Sequence, residues 1–131
     1  MDLAGAAFTR NGLASDLAVR GAPGGPDTDG VVLPCEARGV RWATTFVTEA
    51  AFTARLQLDW NPGPDGLLFE VVLDGQRLPP PRDGWRPSPR ALSSDLGPAW
   101  LGRGSHLLEF VAREESPSSA LHVRALVLER L

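Results

Sequence analysis

The sequence predicts an all-β fold, an antiparallel β-sandwich of the jelly-roll type with about eight strands. Short segments in which apolar and polar residues alternate recur along the chain, and turn-forming residues separate them. The 12 prolines and 14 glycines of the 131-residue chain are spread throughout, and no helical period persists for three turns. A jelly roll closes that many antiparallel strands, and the length fits one domain, residues 1–131.

The first 40 residues contain the least regular pattern. Short strands are expected around Asn11-Gly12, a pair that favours turns. Segment 21–30, GAPGGPDTDG, has the composition of a loop. Residues 31–34 are predicted to form an edge strand that ends at Pro34, because proline cannot donate a hydrogen bond to a sheet.

Three regular strands are predicted between residues 41 and 73. Segment 52–60 alternates apolar and polar residues throughout, which predicts an antiparallel strand with one solvated face. Asp74-Gly75 follows the third strand and predicts a type I′ hairpin turn, because both central residues of that turn need a positive φ. The residues predicted to share one face of each strand are Trp42, Thr44, Phe46 and Thr48; Phe52, Ala54, Leu56, Leu58 and Trp60; and Phe69, Val71 and Leu73.

The last third of the chain is predicted to contain a long loop and three strands. Segment 79–90 is expected to be irregular, because its prolines cannot pair in a central strand. Segment 91–104 is expected to hold one short strand and a turn. Segments 105–114 and 121–131 alternate again. The residues predicted to share one face in these two strands are His106, Leu108, Phe110 and Ala112; and Leu121, Val123, Ala125 and Val127.

Composition and charge exclude several classes of function. The net charge is −3, and the 13 basic residues, all arginine, form no basic run, so we expect no nucleic-acid partner. No apolar run approaches the roughly 20 residues that span a bilayer, so we expect no membrane partner. The first residues lack the pattern of a signal peptide, which favours a cytoplasmic protein. The alternative is that the chain is a domain excised from a longer secreted protein.

The residues that commonly carry catalysis are sparse, and we expect no enzyme activity. Ser105 and His106 are neighbours on a predicted strand, so their side chains point to opposite faces and cannot form a nucleophile–base pair. His106 is instead expected to lie partly buried at the strand's end, hydrogen-bonded to a loop backbone. His106 and His122 are the only histidines, too few for a histidine-rich metal centre on a jelly roll. Cys35, the only cysteine, is expected to be a small buried hydrophobic residue.

Two loops combine tryptophan with polar residues that suit sugar recognition. An indole ring can stack on the apolar face of a sugar, while Asp, Asn and Arg form paired hydrogen bonds with hydroxyl groups. Trp42 and Trp100 are expected to be structural, and a structural role is the alternative for every tryptophan here. The predicted ligand-binding residues are Trp85, Arg82, Asp83, Arg86, Trp60, Asn61 and Asp65.

From residue 41 onward the chain resembles the galactose-binding-domain-like β-sandwiches, which include many carbohydrate-binding modules. The similarity lies in the order of the strands and in loose motifs. The residues that carry it are Val72, Asp74 and Gly75; Gly104, His106, Leu108 and Phe110; and Leu126 and Leu128. The resemblance implies a jelly-roll sandwich, a non-catalytic role in glycan binding and a structural Ca²⁺ ion. Asp27 and Asp29 are the predicted ligands of that ion, with a plain turn as the alternative.

The sequence therefore leads to two main hypotheses of function, and a third, an enzyme, rests only on the presence of carboxylates and two histidines. The first is a non-catalytic binding module that recognises a carbohydrate through loop residues and needs no cofactor other than the structural Ca²⁺. The alternative is a cytoplasmic protein-interaction or structural β-sandwich, whose partner is another protein or a second copy of the chain.

Overall fold

The computed structural model describes residue 3 and residues 6–14, 19–20, 30–34, 39–61, 69–78, 92–113 and 120–131. These residues form eleven β-strands and no helix, so none of them could cross a bilayer as a helix. The strands are β1 (Thr9–Arg10), β2 (Leu13–Ala14), β3 (Val19–Arg20), β4 (Val31–Pro34), β5 (Arg41–Thr48), β6 (Phe52–Asn61), β7 (Phe69–Leu73), β8 (Gln76–Arg77), β9 (Leu92–Leu101), β10 (Gly104–Ala112) and β11 (Ala120–Arg130).

The strands form two antiparallel sheets. One sheet has the order β2-β1-β5-β10-β7-β8, and the other has the order β3-β4-β11-β6-β9. Every pair of neighbouring strands is antiparallel. The predicted all-β antiparallel sandwich is confirmed. The number of strands exceeds eight because four of them contain only two residues each.

The core lies between the two sheets, and aromatic rings join them. The Trp60 ring of β6 meets the Phe69 ring of β7 edge to face, with centroids 5.3 Å apart. Phe69 in turn meets Phe110 of β10 at 6.3 Å. The inner faces predicted for β6, β7 and β10 are confirmed, because alternate side chains on these strands are buried. The fully or almost fully buried members are Ala54, Leu56, Leu58 and Trp60; Phe69 and Val71; and Leu108, Phe110 and Ala112.

A β-bulge in β11 overturns part of the predicted pattern. Val123 pairs with Trp60 of β6, whereas Ala125 pairs with the adjacent Asp59, so Arg124 is an extra residue. The insertion shifts the alternation by one position. Val127 is consequently 38% exposed, and the buried position passes to Leu126. The prediction that Ala125 and Val127 continue the inner face was therefore wrong.

Two further strands differ from their predictions. Strand β9 spans ten residues, although segment 91–104 was expected to hold only a short strand. It can accommodate Pro98 because it lies at the edge of its sheet among the described strands, where proline is tolerated. Strand β4, expected at an edge, lies between β3 and β11, and Pro34 follows the two residues that pair with β3.

The Asp74-Gly75 turn is confirmed. Its φ angles are 50° and 81°, both positive as a type I′ turn requires. Asn11-Gly12, between β1 and β2, has φ angles of 50° and 84° and makes the same kind of connection. The Asn11 side chain also accepts a hydrogen bond from the backbone N–H of Arg41 at 2.9 Å, which ties this hairpin to β5.

The division into inner and outer faces predicts the cost of core truncation. Leu58→Ala removes a fully buried side chain from the middle of β6. We expect the free energy of unfolding to fall by about 2–5 kcal/mol, since transfer energy is lost and a cavity remains. Val127→Ala, on the outer face of β11, is the control, with an expected change of about 0.5 kcal/mol. Urea denaturation measures both variants, and equal losses would contradict the assignment of faces.

Candidate functional site

The predicted loop residues flank strand ends that lie close together. Trp60, one residue before the end of β6, pairs with Leu92 at the start of β9. The Trp60 ring also contacts Phe69, the first residue of β7. Segment 62–68, which joins β6 to β7, therefore begins and ends at one end of the sandwich. Segment 79–91 ends at the same place, where β9 begins. We call this the loop end.

Most of the predicted ligand-binding residues lie outside the described residues. These are Asp65, Arg82, Asp83, Trp85 and Arg86; the predicted calcium ligands Asp27 and Asp29, and Cys35, also lie outside. Asn61 is described as the last residue of β6, paired with His122 of β11.

Trp60 is not available to a ligand. Its side chain is fully buried between the sheets, and its indole N–H donates to the Ser94 hydroxyl at 2.9 Å. A ring whose faces are covered by the core cannot stack on a sugar. The prediction that Trp60 contacts a ligand is therefore corrected, because its place on the apolar face of β6 outweighs its nearness to a polar loop.

The other two described tryptophans differ from each other. Trp42 is fully buried and donates its N–H to the Pro34 carbonyl at 2.8 Å, which confirms its structural role. Trp100, also expected to be structural, is 67% exposed. A bulge at Leu96 explains the difference, since Leu56 pairs with Gly97 whereas Gln57 pairs with Asp95. The bulge shifts the alternation in β9 and turns Trp100 outward.

Trp100 belongs to a surface that we call the β6–β9 face. It is the outer face of the five-stranded sheet, and it comprises the outward residues of β6, β9 and β11. The cross-strand register places Thr53 opposite Trp100, and Arg55 between Pro98 and Glu129. The residues of this face are Thr53, Arg55, Gln57 and Asp59; Ser93, Asp95, Pro98 and Trp100; and Ala125, Val127 and Glu129.

Hydrogen bonds fix several polar groups on the β6–β9 face. The Gln57 amide donates to the Ser93 hydroxyl, which donates to the Asp59 carboxylate. The Asp95 carboxylate accepts the Gly97 N–H at 2.8 Å and so supports the bulge. The face thus carries an exposed indole at one end and an ordered set of hydroxyl, amide and carboxylate groups toward the loop end.

His106 belongs to a buried polar cluster. Its Nδ1 lies 2.7 Å from the Asp74 carboxylate, and its Nε2 lies 2.7 Å from the Gly102 carbonyl. The expected hydrogen bond to a loop backbone is therefore confirmed. The Thr48 hydroxyl lies 3.0 Å from Nε2 but donates to the Gly102 carbonyl at 2.8 Å. The Thr48 hydroxyl proton is therefore already committed to a backbone acceptor.

Asp74 holds this cluster to the hairpin turn between β7 and β8. Burial raises the pKa of the Asp74 carboxyl, but hydrogen bonds from His106 and from the Leu107 N–H, together with the charge of His106, lower it more. The pKa of Asp74 therefore lies below its ordinary value of 3.8. Local patterns did not identify this pairing, since Asp74 and His106 are 32 positions apart.

The described residues contain no group of three or more His, Cys, Asp and Glu side chains that could hold a metal ion. His106 and His122 lie in different sheets, on β10 and β11. No candidate metal centre therefore lies within the ranges that the structure describes.

Comparison with known proteins identifies the fold. The sequence matches no family model and no curated protein. A Paenibacillus xanthan lyase superposes with a TM-score of 0.71 and 11% identity, over 89% of this chain and 12% of the lyase. A family 35 carbohydrate-binding module from an environmental isolate gives 0.58 and 15%, over 97% of this chain and 89% of the module. A family 36 module in complex with calcium and xylotriose gives 0.61 and 11%, over 98% of each chain.

These similarities confirm the fold that the sequence resemblance implied. The chain has the β-sandwich of the carbohydrate-binding modules, matched over nearly its whole length by two of them. It spans only 12% of the lyase. At these identities the likeness shows the fold, and it does not show the ligand.

The Asp74–His106 pair predicts a pH-dependent stability. Asp74→Asn keeps a residue that tolerates a positive φ, but it removes the carboxylate, and we expect a loss of about 1 kcal/mol at pH 7. Because the pKa of Asp74 is lowered on folding, its contribution is present above pH 3.8 and is lost as the pH falls through the lower folded value. Urea denaturation from pH 7 to pH 2.5 should show the two proteins converging. A difference that does not change with pH would contradict this role.

Proposed function

We propose that this chain is a non-catalytic carbohydrate-binding module. One observation carries the proposal, namely the match over 97–98% of the chain to two modules that are known as carbohydrate-binding domains. The buried His106 cluster supports a non-catalytic role, since its Thr48 hydroxyl is already committed to a backbone carbonyl. The chemistry of glycan recognition then falls to surface indoles and to polar side chains.

The proposed contacts at the loop end come from two segments. Trp85 supplies an aromatic ring, and the polar residues around it and beside Pro62–Gly66 supply donors and acceptors for hydroxyl groups. The packing of Trp60 on Phe69 supports this grouping, because it brings the strand ends that flank the segments together. The proposed contacts are Trp85, Arg82, Asp83, Arg86, Asn61 and Asp65.

The module is proposed to act as one domain of a longer protein. The matching part of the xanthan lyase is 12% of that enzyme, which supports a role beside a separate catalytic domain. The cytoplasmic location expected from the sequence finds no support in these comparisons.

One observation favours the alternative of a protein-interaction sandwich. Val47 and Leu107, on the outer face of the six-stranded sheet, are 72% and 39% exposed. They lie on paired strands, since Ser105 pairs with Val47 and Leu107 with Thr45. This apolar pair would suit a second copy of the chain or another protein. Light scattering after size exclusion tests this alternative, since a second copy of the chain docked on Val47 and Leu107 would give a dimer that a charged substitution at Val47 disrupts.

Affinity electrophoresis tests the carbohydrate-binding proposal. Neutral polysaccharides cast into the gel should retard the wild-type protein, and Trp85→Ala should lower the affinity about tenfold, because a stacking ring is lost. Val47→Ala, an exposed substitution on the other sheet, should migrate like the wild type. A protein that no polysaccharide retards would contradict the proposal.

Thermal unfolding tests the proposed structural calcium ion, for which Asp27 and Asp29 are the proposed ligands. After treatment with a chelator, added CaCl₂ should raise Tm, because an ion that binds only the folded state stabilises it by about 2.7 kcal/mol at 100 times Kd. The Asp27→Ala/Asp29→Ala double variant should lose this shift, and MgCl₂ serves as the control ion. An identical rise in Tm for variant and wild type would place the ion elsewhere.

A further inference from the structure

The exposed indole of Trp100 is the starting point. The two other described tryptophans are fully buried and donate their N–H groups to protein acceptors. Trp100 is instead 67% exposed on the outer side of β9, opposite Thr53 of β6. A large flat ring beside a hydroxyl on a sheet surface has the chemistry that contacts the apolar face and the hydroxyl groups of a sugar.

Polar side chains extend from this ring along β6. Arg55, Gln57 and Asp59 follow Thr53 at every second position and point to the same side. From Thr53 to Asp59 the strand rises by about 20 Å, which is longer than a single sugar ring. The hydrogen bonds from Gln57 to Ser93 and from Ser93 to Asp59 hold these groups in place before any ligand arrives. Such ordering lowers the entropic cost of binding.

The charge of the face selects the class of glycan. The charged side chains on its described residues are three carboxylates, Asp59, Asp95 and Glu129, and the guanidinium of Arg55, with a second guanidinium on Arg124, whose Cγ lies beside Gly30 on this side of the sheet. The described part of the face therefore has an excess of one negative charge, and it would disfavour a polymer that carries uronates or sulfates. A neutral sugar chain is not repelled, and its hydroxyl groups can donate to carboxylates and accept from Arg55.

The edge of the sheet argues against pairing with a second copy through β9. Strand β9 is the last strand of its sheet among those described, and an unprotected edge can pair with another chain. The bulge at Leu96 and the missing N–H of Pro98 interrupt this edge beside Trp100. Continuous pairing with a second β9 would need the ladder that these residues break.

We propose that the β6–β9 face is a second carbohydrate-binding surface, which takes a linear, neutral oligosaccharide. Trp100 stacks on one ring, Thr53 and Arg55 bind hydroxyl groups beside it, and the Gln57–Ser93–Asp59 set contacts rings nearer the loop end. This inference rests on the proposed function. It adds a surface formed by strands to the proposed contacts in the loops.

The test compares Trp100→Ala with the wild type. Affinity electrophoresis uses soluble xylan, mannan and hydroxyethylcellulose as neutral probes and polygalacturonate as an acidic probe. Calorimetry with oligosaccharides of increasing length, from the best neutral polymer, then measures affinity. We expect Trp100→Ala to bind the polymer and the longest oligosaccharides about tenfold more weakly and the shortest ones unchanged. Arg55→Ala should weaken binding of the same ligands, and Leu13→Ala, an exposed substitution on the six-stranded sheet, should match the wild type.

The outcomes separate this inference from the proposed function. Wild-type binding that survives both Trp100→Ala and Arg55→Ala undiminished would overturn the second surface and leave the module proposal intact. Binding of polygalacturonate in preference to the neutral polymers would overturn the proposal that the ligand is a neutral glycan. A wild-type dimer that becomes a monomer in Trp100→Ala would identify a second copy as the occupant. A wild type that binds no glycan would overturn both proposals.

Discussion

The alternation of side chains along β6 is the constraint on which the rest of the structure depends. This strand has a paired strand on either side, and its inner Trp60 ring meets Phe69 of β7, which in turn meets Phe110 of β10. Since the inner positions must be apolar to form the core, the intervening positions are left to water and carry polar groups. Leu56 and Leu58 thus fix where Arg55 and Gln57 point. Core and candidate binding surface are two sides of one strand.

The strands beside β6 each contain a bulge, and both bulges redistribute side chains between core and surface. The extra residue in β11 buries Leu126 and exposes Val127, while the bulge in β9 exposes Trp100. A one-residue insertion changes the facing of every later residue on its strand. The composition of the β6–β9 face therefore depends on two local irregularities as much as on the regular pattern of β6.

Regular alternation made much of the fold predictable from the sequence. It identified β5, β6, β7 and β10 and their inner faces, and Asp74-Gly75 marked its turn. The bulges were not predicted, because residues 96–101 have no regular alternation and residues 125–128 are all apolar, so only the pairing with β6 reveals which side chains face inward. Trp60 shows that a residue's position in the alternation of a strand predicts its burial better than a neighbouring polar loop does. The backbone partner of His106, Gly102, lies four positions away in the preceding loop, as expected, whereas its side-chain partners Asp74 and Thr48, 32 and 58 positions away, have no local signature.

The order of strands along the chain has a consequence for how the protein acquires its structure. Strands β10 and β11, which follow all the other described strands in the sequence, are the central partners of β5 and β7 in one sheet and of β4 and β6 in the other. While the ribosome is still translating them, the earlier strands lack the neighbours that complete their ladders. Such non-local pairing slows folding, because long segments must close before contacts repay the lost chain entropy. The nascent chain therefore spends this interval with unpaired apolar strands, during which chaperones can protect it.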